Sequence, residues 1–269
     1  MRMTDQQLTQ YQRDGFIVFP ALFSKAEIAA LRAETARLST IQAETVIREH
    51  SGGVRSIFRV HEDDGATRSA AFRALVRTPR VLEPTRQALG GDVYVYHTKI
   101  NTKPAIEGTV WMWHQDYGSW KRDGCPRADM GTFAVMLTDS VEMNGALYVV
   151  PGSHKRGRIE PYYDENTSYK FWAVPKQEVI SVLKNSAPPV PIVGPAGTCV
   201  LFHCNLLHAS GHNLSAEDRW HIYISFNACA NAPQLSETSR PDWVVSRSTG
   251  PLPIEADDAI LNLDSVLST

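Results

Sequence analysis

Two segments of the chain carry side chains that could bind a metal ion. The first covers residues 111–117 (WMWHQDY) and the second covers residues 207–211 (LHASG). If His114 and Asp116 lie in a β-strand, they project from the same face, because side chains alternate along a strand. One further imidazole would complete a set of two histidines and one carboxylate, which binds one face of a metal and leaves the opposite positions open. The pattern therefore predicts a non-haem Fe(II) site that also binds O2.

Four histidines after residue 200 compete for the place of the third ligand: His203, His208, His212 and His221. His208 is favoured, because it follows a predicted strand and has Arg219 eleven residues after it. A 2-oxoacid that chelates iron through its keto and carboxylate oxygens leaves its distal carboxylate without a partner. Arginine supplies a permanent charge and a fork of donors that matches a carboxylate. The candidate set is therefore His114, Asp116, His208 and Arg219.

Aromatic residues crowd around the first segment: Trp111, Trp113, Tyr117 and Trp120. A pocket with such walls excludes water and protects a reactive oxidant from side reactions. The same residues are equally typical of an ordinary core, and a histidine two residues before an aspartate is a common chance pattern. Two other readings therefore stay open at this point. One is a metal-dependent isomerase or lyase, and the other is a non-catalytic binding or sensing module.

The elements that must position these residues change in character near residue 90. The first ninety residues are predicted to be mainly helical, with N-caps at Thr4 and Ser24, a short strand at 16–20 and a third helix that ends at Gly90. Short β-rich runs between turn residues follow, at 93–100, 109–114, 132–137, 146–150, 198–203 and 221–226. This order predicts a mainly β fold with flanking helices, a double-stranded β-helix or jelly roll. We expect one domain over residues 1–269, with a helical part at about 1–90, a jelly-roll core at about 91–235 and a lid at 155–187.

Bulk composition argues for a small-molecule partner. The 27 basic and 29 acidic residues give a net charge of −2, and no basic block suggests binding to nucleic acid or to a membrane surface. Four scattered cysteines predict neither a disulfide framework nor a zinc site. No apolar run of membrane-spanning length occurs, and the N-terminus lacks the apolar stretch of a signal peptide. We expect a cytoplasmic protein that is a monomer or a homodimer.

Several short segments between residues 11 and 243 form a wider pattern. They are 11–18 (YQRDGFIV), 99–103 (KINTK), 113–117 (WHQDY), 144–147 (NGAL), 150–154 (VPGSH), 226–227 (FN), 231–233 (NAP) and 240–243 (RPDW). Together they resemble the phytanoyl-CoA dioxygenase family of Fe(II)/2-oxoglutarate oxygenases. Within that family, the chain is most similar to small bacterial hydroxylases of free amino acids and related zwitterions, including proline 4-hydroxylases, leucine 5-hydroxylase and ectoine hydroxylase.

The resemblance implies roles for individual residues. Iron would be bound by His114, Asp116 and His208, and the distal carboxylate of 2-oxoglutarate by Arg219. Four further residues match positions at or near the co-substrate pocket: Asn101, Ser210, His97 and Lys99. His97 stands where these relatives usually carry glutamine. On the substrate side the candidates are Trp120, Tyr117, Asn227 and Arg55, of which Arg55 would bind a carboxylate unless it forms a surface ion pair.

The function that the resemblance implies is oxidation of an unactivated C–H bond. A free amino acid or similar zwitterion would be hydroxylated, with release of succinate and CO2 from 2-oxoglutarate. The same chemistry on a secondary-metabolite intermediate could instead give hydroxylation, desaturation or cyclisation. O2-dependent release of succinate would separate both of these from the non-oxidative and non-catalytic readings.

Overall fold

The computed structural model describes residues 1–166, 170–234 and 239–263. Thirteen strands occur in these ranges: β1 (Phe16–Phe19), β2 (Val46–Arg48), β3 (Val54–Phe58), β4 (Val93–Asn101), β5 (Trp111–His114), β6 (Met130–Met136), β7 (Leu147–Val149), β8 (Tyr162–Asp164), β9 (Phe171–Ala173), β10 (Val190–Ile192), β11 (Cys199–His203), β12 (His208–Ser210) and β13 (His221–Ala228). All six strands predicted after residue 90 are present. Six α-helices accompany them: α1 (Asp5–Asp14), α2 (Lys25–Ser39), α3 (Ala70–Leu75), α4 (Pro79–Leu89), α5 (Asp116–Trp120) and α6 (Lys176–Asn185).

Most of the strands form two antiparallel sheets. The larger sheet has seven strands in the order β1-β11-β6-β13-β4-β3-β2, and the smaller has four in the order β10-β7-β12-β5. A set of buried apolar side chains from both sheets, including Phe202 of β11 and Leu147 of β7, packs together. Burial of this kind stabilises a sandwich, because apolar surface removed from water contributes about 25 cal/mol per Å². Two of the candidate ligands, His114 and His208, lie on β5 and β12 of the smaller sheet.

The four N-terminal helices cover the large sheet. Capping boxes start α1 at Thr4 and α2 at Ser24, and Gly90 ends α4 in the left-handed conformation, as predicted. The largest group of buried apolar side chains joins these helices to the sheet, and its members include Leu31, Leu82 and Phe133. No helix in the described ranges is long and apolar enough to cross a membrane.

The expected division at about residue 90 does not separate two parts of the fold. Strands β1, β2 and β3 come from the first ninety residues, and all three belong to the large sheet. The sequence pattern indicated only β1. Of the other two, β2 pairs with β3 and β3 pairs with β4, which places Ser56 of β3 opposite Asn101 of β4. Short strands such as these depend on their neighbours for stability, so local sequence predicts them poorly.

The segment predicted as a lid contains the hairpin β8-β9 and the helix α6. Residues 167–169 of that segment lie outside the described ranges. Residues 239–263 follow the last strand without forming another one. Within them Val244 and Val245 are buried, and the backbone N–H of Ser246 donates to the carbonyl of Tyr96. The hairpin and this C-terminal segment both reach the open side of the candidate site.

Candidate metal centre and active site

His114, Asp116 and His208 come together in the structure. Their potential ligand atoms all lie within 4.8 Å of one another. The Oδ1 atom of Asp116 is 4.0 Å from Nε2 of His114 and 3.8 Å from Nε2 of His208. Of the four histidines that competed for the third position, His208 alone joins this group within the described residues. The arrangement is that of a facial metal site with open positions.

Sheet register explains how residues so far apart in sequence meet. His208 of β12 lies directly opposite His114 of β5, and opposite residues on paired strands have Cβ atoms about 4.5–5.5 Å apart. The expectation that Asp116 also lies in this strand is wrong. The strand ends at His114, and Asp116 is the first residue of α5. Gln115, between them, is buried. Its side-chain amide donates to the carbonyls of Gly157 and Asn205 and accepts from the backbone N–H of Ile159.

Backbone carbonyls orient both imidazoles. The Nδ1 of His114 lies 2.7 Å from the carbonyl oxygen of Met112, and the Nδ1 of His208 lies 2.9 Å from that of Leu206. A carbonyl only accepts, so each Nδ1 carries the proton and each Nε2 keeps its lone pair for a metal. Burial lowers the pKa of His114 well below its ordinary value, and burial also lowers the pKa of His208. Both rings are therefore neutral, as metal ligation requires.

Thr132 fixes the carboxylate. Its hydroxyl donates to Oδ2 of Asp116 at 3.0 Å, which leaves Oδ1 facing the two imidazoles. Thr132 lies on β6 opposite Ser225 of β13, and their hydroxyls are 3.2 Å apart. Groups that hold a ligand in this way tune metal affinity. Sequence reasoning missed Thr132, because nothing in the local sequence signals its contact with Asp116.

Two cavities meet at the candidate ligands. The first lies between the two sheets, and the second is a larger cleft beside the hairpin and the C-terminal segment. The side chains that line both are His97, Lys99, Trp111, His114 and Asp116. A metal at this point would be open to two different molecules at once.

The first cavity contains four of the five residues predicted for the co-substrate: His97, Lys99, Asn101 and Ser210. Arg219 is fully buried but does not line the cavity; its Nη1 lies 3.4 Å from the hydroxyl of Tyr223, which does. Within the described residues, Nε and Nη2 of Arg219 have no hydrogen-bond partner. Buried donors of this kind normally have an acceptor, so they fit a carboxylate that the chain itself does not supply.

Lys103 is a second buried basic side chain in the same region. Its Nζ donates to Oγ of Ser210 and to the carbonyl of Thr109, each at 3.0 Å, and also to the carbonyl of Gly211. Burial and the nearby Arg219 charge lower the pKa of Lys103 to about 6. Arg219 carries a permanent charge, and an anion bound at this end of the site would also favour the charged form of Lys103.

The larger cleft contains only one of the four residues predicted for the substrate, Trp120. Arg55 lies behind Trp111, where it pairs with Glu49. Tyr117 donates its hydroxyl to the carbonyl of Cys125, and Asn227 donates its amide to Tyr94 and to the carbonyl of Asn231. These three therefore pack inside the protein and do not line either cavity.

Other residues line the cleft instead. Its walls are mainly aromatic, with Phe58, Trp111, Trp120, Tyr163, Phe171, Trp172 and Trp243. Three basic side chains also line it, Lys99, Lys170 and Arg240. Lys99 lies 4.2 Å from the centroid of Trp111, and burial lowers its pKa to about 8 against the opposing effect of Asp116. Arg240 is held by Asp123, which accepts from its Nε at 2.8 Å and from its backbone N–H at 3.0 Å. Arg240 and Trp243 belong to the RPDW segment. This segment contributed to the family resemblance, but the sequence alone gave it no role in the site.

The side chains present fit a ferrous ion and an anionic chelator. Two neutral imidazoles and a carboxylate are the donor set that non-haem iron takes, and the ligands leave one side open toward both cavities. Arg219 and Lys103 contact Tyr223 and Ser210, which line the first cavity, where a chelator's distal charge would need partners.

Known proteins show the same combination of fold and size. The chain is 36% identical over 262 residues to an ectoine dioxygenase of Nocardia farcinica, covering 92% of this chain and 86% of that protein. It is 34% identical over 261 residues to an L-proline trans-4-hydroxylase of Streptomyces griseoviridis, covering 92% and 95% of the two chains. The crystal structure of EctD from S. alaskensis with 2-oxoglutarate and 5-hydroxyectoine superposes with a TM-score of 0.82 at 28% identity, covering 94% of this chain and 88% of that one.

The structural match confirms the jelly roll predicted from the order of the strands. A second structure of the same protein, with bound Fe, has a TM-score of 0.80 at 28% identity over the same shares of both chains. The phytanoyl-CoA dioxygenase (PhyH) family pattern matches residues 11–220, a range that contains all three candidate ligands and Arg219. Similarity in sequence, fold and site chemistry thus confirms that this chain belongs to the phytanoyl-CoA dioxygenase family.

Proposed function

We propose that the chain is a hydroxylase of a small zwitterion, most simply a free amino acid or a cyclic relative of one. The relatives and the ligand set support the broader class of the enzyme: the chain is a 2-oxoglutarate-dependent dioxygenase that uses iron. The observation that carries the proposal is the position of the three ligands, whose open side faces both a co-substrate cavity and a separate cleft.

Each part of the co-substrate site has a candidate residue. His114, Asp116 and His208 would hold the iron, and Arg219 would bind the distal carboxylate of 2-oxoglutarate. When bound, iron and 2-oxoglutarate supply the oxidant that places one oxygen atom in a C–H bond, with succinate and CO2 as the other products. The protein contributes geometry, charge and exclusion of water. Ser210, held by Lys103, would face the co-substrate.

The cleft supports a substrate that carries a carboxylate. Lys99 and Arg240 offer positive charge, whereas Asp116, a proposed metal ligand, is the one carboxylate among the described residues that line the cleft. A cationic group on the substrate would therefore meet aromatic faces, which attract cations through their π electrons. This combination suits a zwitterion. It also agrees with relatives named for ectoine and proline.

The aromatic walls also serve the chemistry. Phe171 packs against both Trp111 and His114, with ring centroids 5.4 and 5.2 Å apart. Trp120 packs edge-on against His97 at 5.8 Å. Side chains of this kind exclude water from the metal and direct the oxidant to the bound substrate.

The test is O2-dependent release of succinate from 2-oxoglutarate by the Fe(II)-loaded protein. A panel of free amino acids, cyclic imino acids and ectoine-like compounds would be screened, with mass spectrometry for a product heavier by one oxygen atom. We expect stoichiometric succinate and product for at least one zwitterion. A panel that yields succinate only with neutral natural-product scaffolds would contradict the proposed substrate class.

Asp116→Ala is expected to abolish both succinate release and iron binding, because it removes one of three ligands. Asp92→Ala is the matched control, since its carboxylate is 65% exposed and lies on the surface. Iron content by atomic absorption and succinate by chromatography measure the two effects. Wild-type turnover in the Asp116 variant would refute the assigned site.

A further inference from the structure

Trp111 forms the wall that the two cavities share, and two cations lie against it. Its indole lines both cavities and is 7% exposed. The guanidinium carbon of Arg55 is 4.6 Å from the ring centroid, and Nζ of Lys99 is 4.2 Å from it. The ring also packs against His114, with centroids 6.3 Å apart. The position of this indole therefore affects the metal and both binding spaces.

Arg55 forms hydrogen bonds to the two residues just before Trp111, Thr109 and Val110. Its Nη1 lies 3.1 and 3.3 Å from the two carboxylate oxygens of Glu49, and it also donates to the hydroxyl of Thr109. Its Nη2 donates to the carbonyl of Val110 at 3.3 Å. Thr109 in turn donates to Glu49 at 2.9 Å. One buried ion pair thus holds two consecutive residues and the face of the third.

Because the Arg55–Glu49 ion pair is buried, breaking it should disturb the structure around it. The side chains of Arg55 and Glu49 are 2% and 7% exposed. Removing one partner of a buried pair leaves the other charge unpaired in a medium of low dielectric, and the surrounding structure then shifts. Arginine is suited to the task, because its planar group can bond a carboxylate and stack on an aromatic ring together.

We propose that Arg55 and Glu49 are positioning residues that hold Trp111 as the wall of the co-substrate cavity. This inference rests on the proposed function. It assigns Arg55 a role different from the substrate-carboxylate ligand expected from sequence. The substrate carboxylate is left to Lys99 and Arg240, which line the cleft.

Glu49→Gln separates the two roles, because Glu49 lines neither cavity. The measurement is calorimetric titration of 2-oxoglutarate into the Mn(II)-loaded protein, which gives a Kd without turnover. We expect Glu49→Gln and Arg55→Lys each to raise this Kd roughly ten-fold, the usual scale for groups that support a metal or its ligands. If Arg55 binds substrate directly, Glu49→Gln leaves the co-substrate Kd unchanged and Arg55→Lys raises only the substrate KM. That result would overturn the proposal.

Two further variants keep the test decisive. Thr109→Val removes the hydroxyl that bonds both Arg55 and Glu49 but leaves no charge unpaired. It should therefore also raise the 2-oxoglutarate Kd, even if Glu49→Gln folds poorly. Trp111→Leu removes the side chain being positioned, so Arg55→Lys should add less than about two-fold to its effect, since residues in one network are not additive. Full additivity, or a wild-type Kd for Thr109→Val, would contradict the role assigned to Trp111.

Controls separate this inference from the proposed function. Glu27→Gln breaks another largely buried ion pair, with Arg80, outside both cavities. It should lower the Tm without changing the co-substrate Kd. A wild-type protein that binds no 2-oxoglutarate would refute the proposed function itself. Tight wild-type binding with unchanged variants would refute only the positioning pair.

Discussion

Replacing Arg219 by glutamine is expected to weaken 2-oxoglutarate binding sharply while leaving the protein without co-substrate at least as stable as the wild type. Arg219 is fully buried, and its Nη1 contacts His221 and Tyr223. No ion pair joins it to a carboxylate of the described chain. A buried charge without a counter-ion costs several kcal/mol. Removing that charge should therefore not lower the Tm, which is unusual for a buried arginine.

The size of the binding loss follows from the two unpartnered nitrogens. A hydrogen bond to a charged group contributes roughly 1.5–3 kcal/mol. Two such bonds from Nε and Nη2 to one carboxylate would contribute about 3–6 kcal/mol. Each 1.4 kcal/mol corresponds to a factor of about ten in Kd. We therefore expect Arg219→Gln to raise the 2-oxoglutarate Kd at least about 100-fold.

The assay pairs calorimetric titration of the Mn(II)-loaded protein with thermal unfolding in the presence and absence of 2-oxoglutarate. The variant should lose the rise in Tm that ligand binding produces in the wild type. Arg80→Gln is the matched control, since Arg80 is paired with Glu27 and Asp257. It should lower the Tm and leave the Kd unchanged. If Arg219→Gln destabilises as Arg80→Gln does, with Kd unaltered, the guanidinium is structural and the reasoning fails.

Two other predictions concern the support of the metal ligands and the response to pH. Thr132→Val keeps the shape of the side chain but frees Oδ2 of Asp116, so iron affinity measured by competition with a chelator should fall roughly ten-fold; an unchanged affinity would exclude this role. Nδ1 of His203 accepts the backbone N–H of Asn205, and burial lowers the pKa of His203 to about 4. Between its ordinary value of 6.5 and that value, the unfolded chain binds a proton that the folded chain does not, so this histidine lowers stability as pH falls, by ~1.4 kcal/mol per unit. His203→Asn keeps an acceptor and should remove that part of the slope in urea unfolding from pH 7 to about 4.5; a slope equal to the wild type would contradict the assignment.

Local patterns accounted for much of the fold. Alternating apolar residues and turn signals located β5, which carries His114, whereas His208 was expected in a turn and lies on β12. Capping residues and Gly90 located α1, α2 and α4. These features depend on interactions within a few residues, so a single sequence contains them. Strands β2 and β3 were missed, because their place in the sheet depends on the pairing of β3 with β4, which lies much later in the sequence.

The chemistry of the site was predicted by residue type, whereas its geometry was not. His114 and His208 became neighbours through the register of β5 and β12, and Asp116 reached them from the start of a helix. The sequence could not predict the role of Thr132, because its hydroxyl meets Asp116 only when β6 packs beside the start of α5 in the folded protein.

The sequence by itself predicted a two-histidine, one-carboxylate metal site within a jelly roll, because the ligand types and the order of elements are local properties. Only the tertiary structure decided which basic side chains lie beside the co-substrate cavity and which lie beside the cleft. Arg55 pairs with Glu49 inside the protein, Arg219 is buried and has no paired carboxylate among the described residues, and Lys99 and Arg240 line the cleft. An arginine's role depends on whether its side chain reaches a cavity and on which groups pack beside it, and packing between distant segments decides both.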